Sequence, residues 1–201
     1  MPSVHNTVST ELDAINTMLS VIGERPINSL ADPLPADVAM AVTTLRETTR
    51  EVQLKGWHFN SEQNFPLARN IKGEIPLPAA VFRVTLTDPD SKDVVQRGPR
   101  LYDRSNHTYI FTEDVEATIY ALLAFDEMPE AFRWYVTVRS ARKFQDRAVG
   151  SGDLHTFSGQ DELDALVTAK QEDTETARPS TAKTEATTFI SGWTPAMTLR
   201  R

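Results

Sequence analysis

The chain has 201 residues, of which 28 are acidic and 21 basic, so its formal net charge is −7. Hydrophobic residues make up 40% of it, and a chain of this length buries roughly 70% of its unfolded surface, enough for one core or two small ones. It has no cysteine, which excludes a disulfide scaffold, a thiolate zinc site and a cysteine nucleophile. The acidic balance argues against a dedicated nucleic-acid binder, because phosphate groups are bound by Lys and Arg.

The start of the chain shows neither the charged nor the apolar region of a secretion signal, and no stretch approaches about 18 continuous apolar residues. We therefore expect no membrane anchor. The expected product is a soluble intracellular protein, or a component of something that is assembled inside a cell. The lack of cysteine agrees with assembly in a reducing cytoplasm.

Two amphipathic helices are predicted before residue 56. Apolar residues recur every three or four positions over residues 10–22, which indicates a helix capped by Ser9 or Thr10 and stopped by Gly23. Asp32-Pro33 has the pattern of an N-cap followed by proline in the first turn, so a second helix is predicted near residues 33–55.

The middle of the chain predicts a small antiparallel sheet. Prolines recur between Pro66 and Pro99 and exclude long helices there, while the runs between them are rich in β-branched and aromatic residues. Arg97-Gly98-Pro99 is the best candidate for a hairpin turn. The predicted strands are residues 81–86, 93–96, 100–103, 108–111 and 115–122.

Two further helices are predicted near residues 129–149 and 160–177. Pro129 in the first turn opens the former, and Ser158 with Asp161 resembles a capping box that opens the latter. After Arg178 the composition shifts to Thr, Ser, Ala and Pro with isolated apolar residues, which is typical of a segment without its own core.

These elements predict an α+β fold. Residues 1–60 and 124–177 form an antiparallel helical bundle, residues 61–123 an inserted small antiparallel β-sheet, and residues 178–201 an extended C-terminal arm. Residues 56–60 are the predicted junction where the second helix meets the sheet, with Trp57 and Phe59 buried there.

Charge is unevenly divided between the last two helices, since the third is rich in Arg and the fourth in Asp and Glu. Arg139, Lys143 and Arg147 recur every four residues and therefore line one face of the third helix. One interpretation is that the two helices are antiparallel neighbours that pair their charges. Another is that this basic face meets a partner subunit or passing DNA, and a third is that its charges are simply solvated. We take the three residues as interface candidates.

The arm contains a second set of interface candidates. These apolar residues are too few to form a core of their own, but more apolar than a tail without contacts would need. We therefore expect them to dock on a partner. They are Phe189, Ile190, Trp193 and Leu199.

No catalytic residue, cofactor site or metal site is predicted. The four histidines are far apart, and no phosphate-binding loop, dinucleotide fingerprint or acyl-transfer elbow occurs. The carboxylate pairs Glu113/Asp114 and Asp126/Glu127 would suit a glycosidase, but a chain with 28 acidic residues always contains such pairs.

Four segments, in order along the chain, resemble tail tubular protein A, the family that forms the adaptor or gatekeeper ring of short-tailed podophages. The most specific are Gly-Trp-x-Phe-Asn at 56–60 and Asp-Glu-Met-Pro-Glu-x-Phe-Arg at 126–133. The segments are residues 12–30, 55–60, 101–104 and 125–135, the last continuing at 141–147.

The resemblance implies a homo-oligomeric ring, a dodecamer, between the portal protein and the tail nozzle protein, which is tail tubular protein B. It implies that double-stranded DNA passes through the lumen without sequence recognition. It also implies a virion tail protein that is made and assembled in the bacterial host cytoplasm. The prediction is thus a structural connector and not an enzyme. The alternatives are a tail-associated polysaccharide or peptidoglycan hydrolase and a free host-directed interaction module.

Overall fold

A computed structural model of the chain describes residues 8–31, 33–86, 93–148 and 152–177. The fold is α+β, as predicted. In this part of the chain the helices are α1 (Glu11–Val21), α2 (Ala36–Gln53), α3 (Glu130–Ala148) and α4 (Gly152–Ala177). The strands are β1 (Ser61–Leu67), β2 (Val81–Leu86), β3 (Val94–Arg97), β4 (Arg100–Asp103) and β5 (Val115–Ala121). Short 3-10 turns lie at His58–Asn60 and Phe125–Glu127.

The first helix begins where the sequence predicts. The Thr10 hydroxyl accepts a hydrogen bond from the Asp13 backbone N–H at 3.2 Å, and the Asp13 carboxylate accepts one from the Thr10 N–H at 3.0 Å. This reciprocal capping box satisfies two amide groups that the helix leaves free. Of the two cap candidates Thr10 is therefore correct, since Ser9 instead bonds the carboxylate of Glu130.

The second helix begins at Ala36, three residues later than predicted. Leu34 precedes Pro35, and the residue before a proline is driven out of the helical region by the proline ring. Pro35 itself has an extended ψ of 153°. Asp32, the predicted cap, lies outside the described residues.

The strands form two antiparallel groups. β5 lies between β1 and β2 in a three-stranded sheet, and β3 pairs with β4 as the predicted hairpin. β1 was not among the predicted strands because Pro66 interrupts it. Pro66 is tolerated because β1 is an edge strand, where a missing N–H leaves no neighbour unpaired.

Two further predictions are wrong. Residues 108–111 are not a strand. The backbone of Thr108 pairs with that of Asp103 as an isolated bridge, and the chain bends away after it. α4 begins at Gly152, so Ser158 lies inside the helix and does not cap it. Ser and Asp are tolerated within helices, so their spacing is weak evidence for a helix start.

The described helices and strands enclose two hydrophobic cores. The helices bury a cluster that includes Ile15, Leu45 and Phe144, and the strands with their loops bury a smaller cluster that includes Ile75, Leu101 and Ile119. Amphipathic helices and alternating strands each supply one apolar face, which is why the two groups of elements build separate clusters. The residue boundaries predicted for the bundle, the sheet region and the arm stay a prediction.

Candidate interaction surfaces

The predicted junction at residues 56–60 is held by aromatic packing on α3. Trp57 and Phe59 both lie on Phe132, with ring centroids 4.9 and 4.5 Å from it. Phe132 is fully buried, whereas Trp57 and Phe59 are half-buried, so the predicted burial of the latter two is only partly correct. They contact a helix of the bundle because the chain turns back at Gly56 before the sheet begins.

A buried polar pair ties the same region together. The Gln53 side chain, on the last residue of α2, exchanges two hydrogen bonds with the backbone of Leu123, at 2.8 and 2.9 Å. The Asn60 amide donates to the carbonyl oxygens of Gln53 and Ala121, at 3.0 and 3.2 Å. Buried amides that are fully paired fix one arrangement of the surrounding chain. Gln53 is not among the residues predicted from the sequence, where its signal is a polar residue on the apolar stripe of a helix.

Gly56 allows this turn. Its φ is +76°, a conformation that residues with a Cβ rarely adopt, and a Cβ at this position would lie 1.8 Å from Arg83 Nη2. The Arg83 guanidinium stacks on the Tyr120 ring at 3.7 Å. The glycine therefore lets the end of α2 approach a cation and an aromatic ring of the sheet.

An ion-pair seam, defined as Arg139, Lys143 and Arg147 with their acidic partners, runs along α3. Arg139 bonds Glu162 of α4 and, at 2.5 Å, Glu51 of α2. Lys143 also bonds Glu51, and Arg147 bonds Glu47 of α2 at 2.9 Å. The basic residues are thus paired within the chain, as the first interpretation requires, but among the described residues the acidic partners of Lys143 and Arg147 lie on α2 and not on α4.

Glu162 is the buried member of the seam, with 10% of its side chain exposed. Arg142 of α3 approaches it from the other side, with Nε 2.5 Å from Oε2. One carboxylate therefore pairs with two guanidinium groups where α3 and α4 pack together. Removing it would take one counter-charge away from two partly buried cations, which is costly.

The contacts of the seam shift the pKa values of two of its members, Glu51 and Arg139. The hydrogen bond from Lys143 holds the pKa of Glu51 below its ordinary value; burial opposes this effect and Arg139 adds to it. Burial alone would lower the pKa of Arg139, but its bonds and charges, with Glu51 first, raise it overall. Glu51 and Arg139 are therefore both ionised at neutral pH.

An open apolar groove lies between α1, α3 and α4. Its volume is about 500 Å³, and its apolar lining comprises Val21, Trp134, Val138, Ala141 and Ala165. Half of Trp134 is exposed to solvent. Large exposed aromatic residues on an apolar patch are typical of interaction surfaces.

Comparison with known proteins identifies the family of the chain. A sequence model of the tail tubular protein family matches residues 12–179, which is most of the chain and includes both parts of the junction. The chain belongs to the tail tubular protein family. A search of curated proteins finds no match. Family membership makes the chain a structural component of a phage tail, and tail tubular proteins assemble into tail oligomers.

Only one of the two sets of interface candidates in this tail tubular protein lies within the described residues. Arg139, Lys143 and Arg147 lie together in the seam, and their contact with another molecule stays a prediction. The arm candidates all fall outside the described residues. They are Phe189, Ile190, Trp193 and Leu199.

Three of the four carboxylates that would suit a glycosidase have structural partners in this tail tubular protein. Asp114 accepts hydrogen bonds from the backbone and guanidinium of Arg69, at 3.1 and 3.0 Å. The Asp126 carboxylate accepts the Glu11 N–H at 3.2 Å, and that of Glu127 accepts the Ala124 N–H at 3.0 Å. Their side chains hold a loop, a helix start and a turn.

Two absences hold for the described ranges of the tail tubular protein. They contain no group of three or more His, Asp or Glu side chains placed to hold a metal ion. Within the same ranges, none of the helices combines the length and apolarity that a membrane crossing requires.

Proposed function

We propose that the chain is the adaptor protein, tail tubular protein A, which forms a dodecameric ring between the portal protein and the nozzle protein. In this role it is a gatekeeper of the tail and part of the channel through which DNA is ejected. It is proposed to be made and assembled in the cytoplasm of the bacterial host. The family match supports the coarser part of this function, a structural tail component.

One observation supports the assignment to tail tubular protein A. The two segments that resemble that family most specifically, 56–60 and 126–133, are far apart in sequence but pack on each other through Trp57, Phe59 and Phe132. Motifs that matched by chance would have no reason to form one packed unit. Their contact supports the interpretation that both belong to one inherited structural feature of an adaptor.

The seam is proposed as one contact surface of the ring. About half of each of the Glu51, Glu47 and Arg147 side chains is exposed, so a neighbouring subunit can reach their charges. Exposed ion pairs contribute only about 0–1 kcal/mol each and are readily exchanged for pairs with a partner. The arm is proposed to add contacts with the portal or a neighbouring subunit.

Double-stranded DNA is proposed to pass through the lumen without sequence recognition. The chain carries a formal charge of −7, so a ring of identical copies is strongly acidic. Binding to DNA grows with each phosphate that a protein neutralises, and an acidic lining therefore favours sliding over attachment.

Portal-dependent ring formation tests the proposal. The purified chain is mixed with portal rings and with nozzle protein, and each mixture is measured by mass photometry and electron microscopy. The expected result is a dodecameric ring of the chain on the portal that then captures the nozzle. A stable monomer that ignores both proteins would instead support the free interaction module.

The hydrolase alternative is tested on the same preparation. Capsular polysaccharide and peptidoglycan are incubated with the wild type and with Glu113→Gln/Asp114→Asn and Asp126→Asn/Glu127→Gln variants. The expected result is no release of sugar fragments in any sample. Turnover by the wild type that one of these variants abolishes would overturn the non-enzymatic function, provided the variant keeps the wild-type circular dichroism spectrum.

A further inference from the structure

The groove between α1, α3 and α4 is used neither by the junction nor by the seam. Its floor is made by Val138, Ala141 and Ala165, and Val21 and Trp134 stand at its edges, 39% and 50% exposed. A volume of about 500 Å³ falls within the range of ~300–1,000 Å³ that is typical of ligand-binding clefts. An occupant would thus need large apolar side chains.

The charges around the groove specify the occupant further. Asp161 and Asp164 of α4 line it and are exposed. Arg142 also lines it, but its single positive charge is paired with Glu162 and is outnumbered by the two aspartates. The groove therefore presents a net negative edge, which suits a segment that is apolar and ends in basic residues.

The end of this chain has that composition. Residues 189–201 read Phe-Ile-Ser-Gly-Trp-Thr-Pro-Ala-Met-Thr-Leu-Arg-Arg, with all four apolar interface candidates of the arm, two terminal arginines and no acidic residue. We propose that residues 189–201 of the same chain occupy the groove between α1, α3 and α4 before the protein joins the tail. Phe189 or Trp193 covers Trp134, and Arg200 and Arg201 face Asp161 and Asp164.

The connecting length fits an own-chain occupant. The groove residues of α4 lie between Asp161 and Thr168, so they are about 13–24 Å from Ala177 along the helix. A flexible connection of the length of residues 178–188 has a root-mean-square span of roughly 18 Å. Effective concentration is greatest when the span of a linker matches the distance that it must bridge. Docking within one chain is thus favoured over docking between dilute chains.

This inference goes beyond the proposed function. The arm residues that are proposed to contact the portal are, before assembly, held on the chain's own bundle, and the portal or a neighbouring subunit displaces them. The groove then acts as a competing site that keeps the apolar segment covered until a partner is present. The test uses the full chain alone, so its failure is separate from a failure to form rings on the portal.

Single cysteines test the docking cleanly, because the chain has none of its own. The test pair is Thr168→Cys in the groove with Ser191→Cys in the arm. The control pair is Thr43→Cys on α2 with the same Ser191→Cys. Thr43 and Thr168 are both exposed and both donate to the carbonyl four residues earlier, so the substitutions are matched. Disulfide formation in glutathione buffer is followed on dilute protein by gel mobility and intact mass.

The expected result is an intrachain disulfide that forms at least tenfold faster in the Thr168 pair than in the Thr43 pair. Adding Trp134→Ala or Asp161→Lys/Asp164→Lys should reduce the rate of the Thr168 pair toward that of the control, with the circular dichroism spectrum unchanged. Equal rates for the two pairs would overturn the proposal. Disulfides that form only between two chains would also overturn it, because the occupant would then be the arm of a second copy.

Discussion

The ring of Phe59 lies 4.5 Å, centroid to centroid, from that of Phe132, the buried side chain on which the start of the sheet region is anchored to α3. Because Trp57 also packs against this ring, with centroids 4.9 Å apart, one phenylalanine makes the contact between two distant segments. The junction therefore depends more on Phe132 than on either of its neighbours.

The first prediction concerns this dependence. Phe132→Ala should lower the free energy of unfolding by about 3–5 kcal/mol, because it removes a buried ring and leaves a cavity that two aromatic neighbours cannot fill. Trp57→Ala should cost less, since the indole is only half-buried. Urea denaturation measures both. The control is Ile71→Ala, at a fully exposed side chain, which should change stability by less than about 0.5 kcal/mol. Equal costs for Phe132→Ala and Ile71→Ala would contradict the role of this ring.

Gly56 and Gly23 form a matched pair for the second prediction. Both have a positive φ, but a Cβ at Gly23 would meet nothing within 4 Å, whereas one at Gly56 would meet Arg83 and Tyr120. Gly23→Ala should therefore cost only backbone strain, about 1 kcal/mol, and Gly56→Ala about 2–3 kcal/mol. In an Arg83→Ala background the difference between the two substitutions should shrink. A difference that stays unchanged would mean that the Arg83 side chain moves aside without cost.

The pH dependence of the seam is the third prediction. The pKa of Glu51 is lowered in the folded chain from the ordinary value of 4.5, chiefly by Lys143. Its contribution to stability is thus fully present above about pH 4.5 and is lost as the pH falls through the lower folded pKa. The stability difference between the wild type and Glu51→Gln should be largest near neutral pH and vanish in acid. It should stay below about 1 kcal/mol, because nearly half of the side chain is exposed.

The control for this experiment is the Lys143→Met background. Glu51→Gln should have a smaller and less pH-dependent effect there, since the main cause of the lowered pKa has been removed. Thermal unfolding between pH 3 and pH 8 measures all four proteins. A pH dependence that is the same with and without Lys143 would assign the effect to other carboxylates.

The fourth prediction concerns the contribution of Glu162 to stability. Glu162→Gln should destabilise the chain by about 3 kcal/mol, since it removes the buried carboxylate that pairs with both the Arg139 and the Arg142 guanidinium groups. Glu175→Gln, at an exposed position of the same helix, should be nearly neutral. Denaturant titration compares the two. If both substitutions cost the same, Glu162 contributes no more than a surface charge.

The fifth prediction concerns the arm. Truncation after Arg178 should lower the melting temperature by no more than a few degrees, since the apolar residues of the arm are too sparse to form a core of their own. It should sharply reduce attachment to portal rings, because the weak contacts of many arms combine at high effective concentration. Scanning calorimetry and co-sedimentation with portal rings measure the two effects. A fall of more than ten degrees would mean that the arm belongs to the core of its own chain.

Much of the secondary structure follows from local pattern. The spacing of apolar residues predicts α1 and α3 closely, because an amphipathic helix needs one apolar face whatever it packs against. The β3–β4 hairpin follows from its turn residues for a similar reason. The sequence does not predict β1, because Pro66 is incompatible with a central strand. Only the sheet order shows that β1 is an edge strand with a single neighbour.

The sequence by itself determined the α+β class, most of the helices and strands, and, through two short motifs, the family to which the chain belongs. Only the tertiary structure decided which charges meet: the residues of the basic face of α3 have most of their partners on α2, and Glu162 is shared by Arg139 and Arg142. The apolar groove beside Trp134 was equally hidden from the sequence. Periodicity reports which face of one helix is apolar or charged, whereas pairing and grooves depend on how several helices are placed against each other.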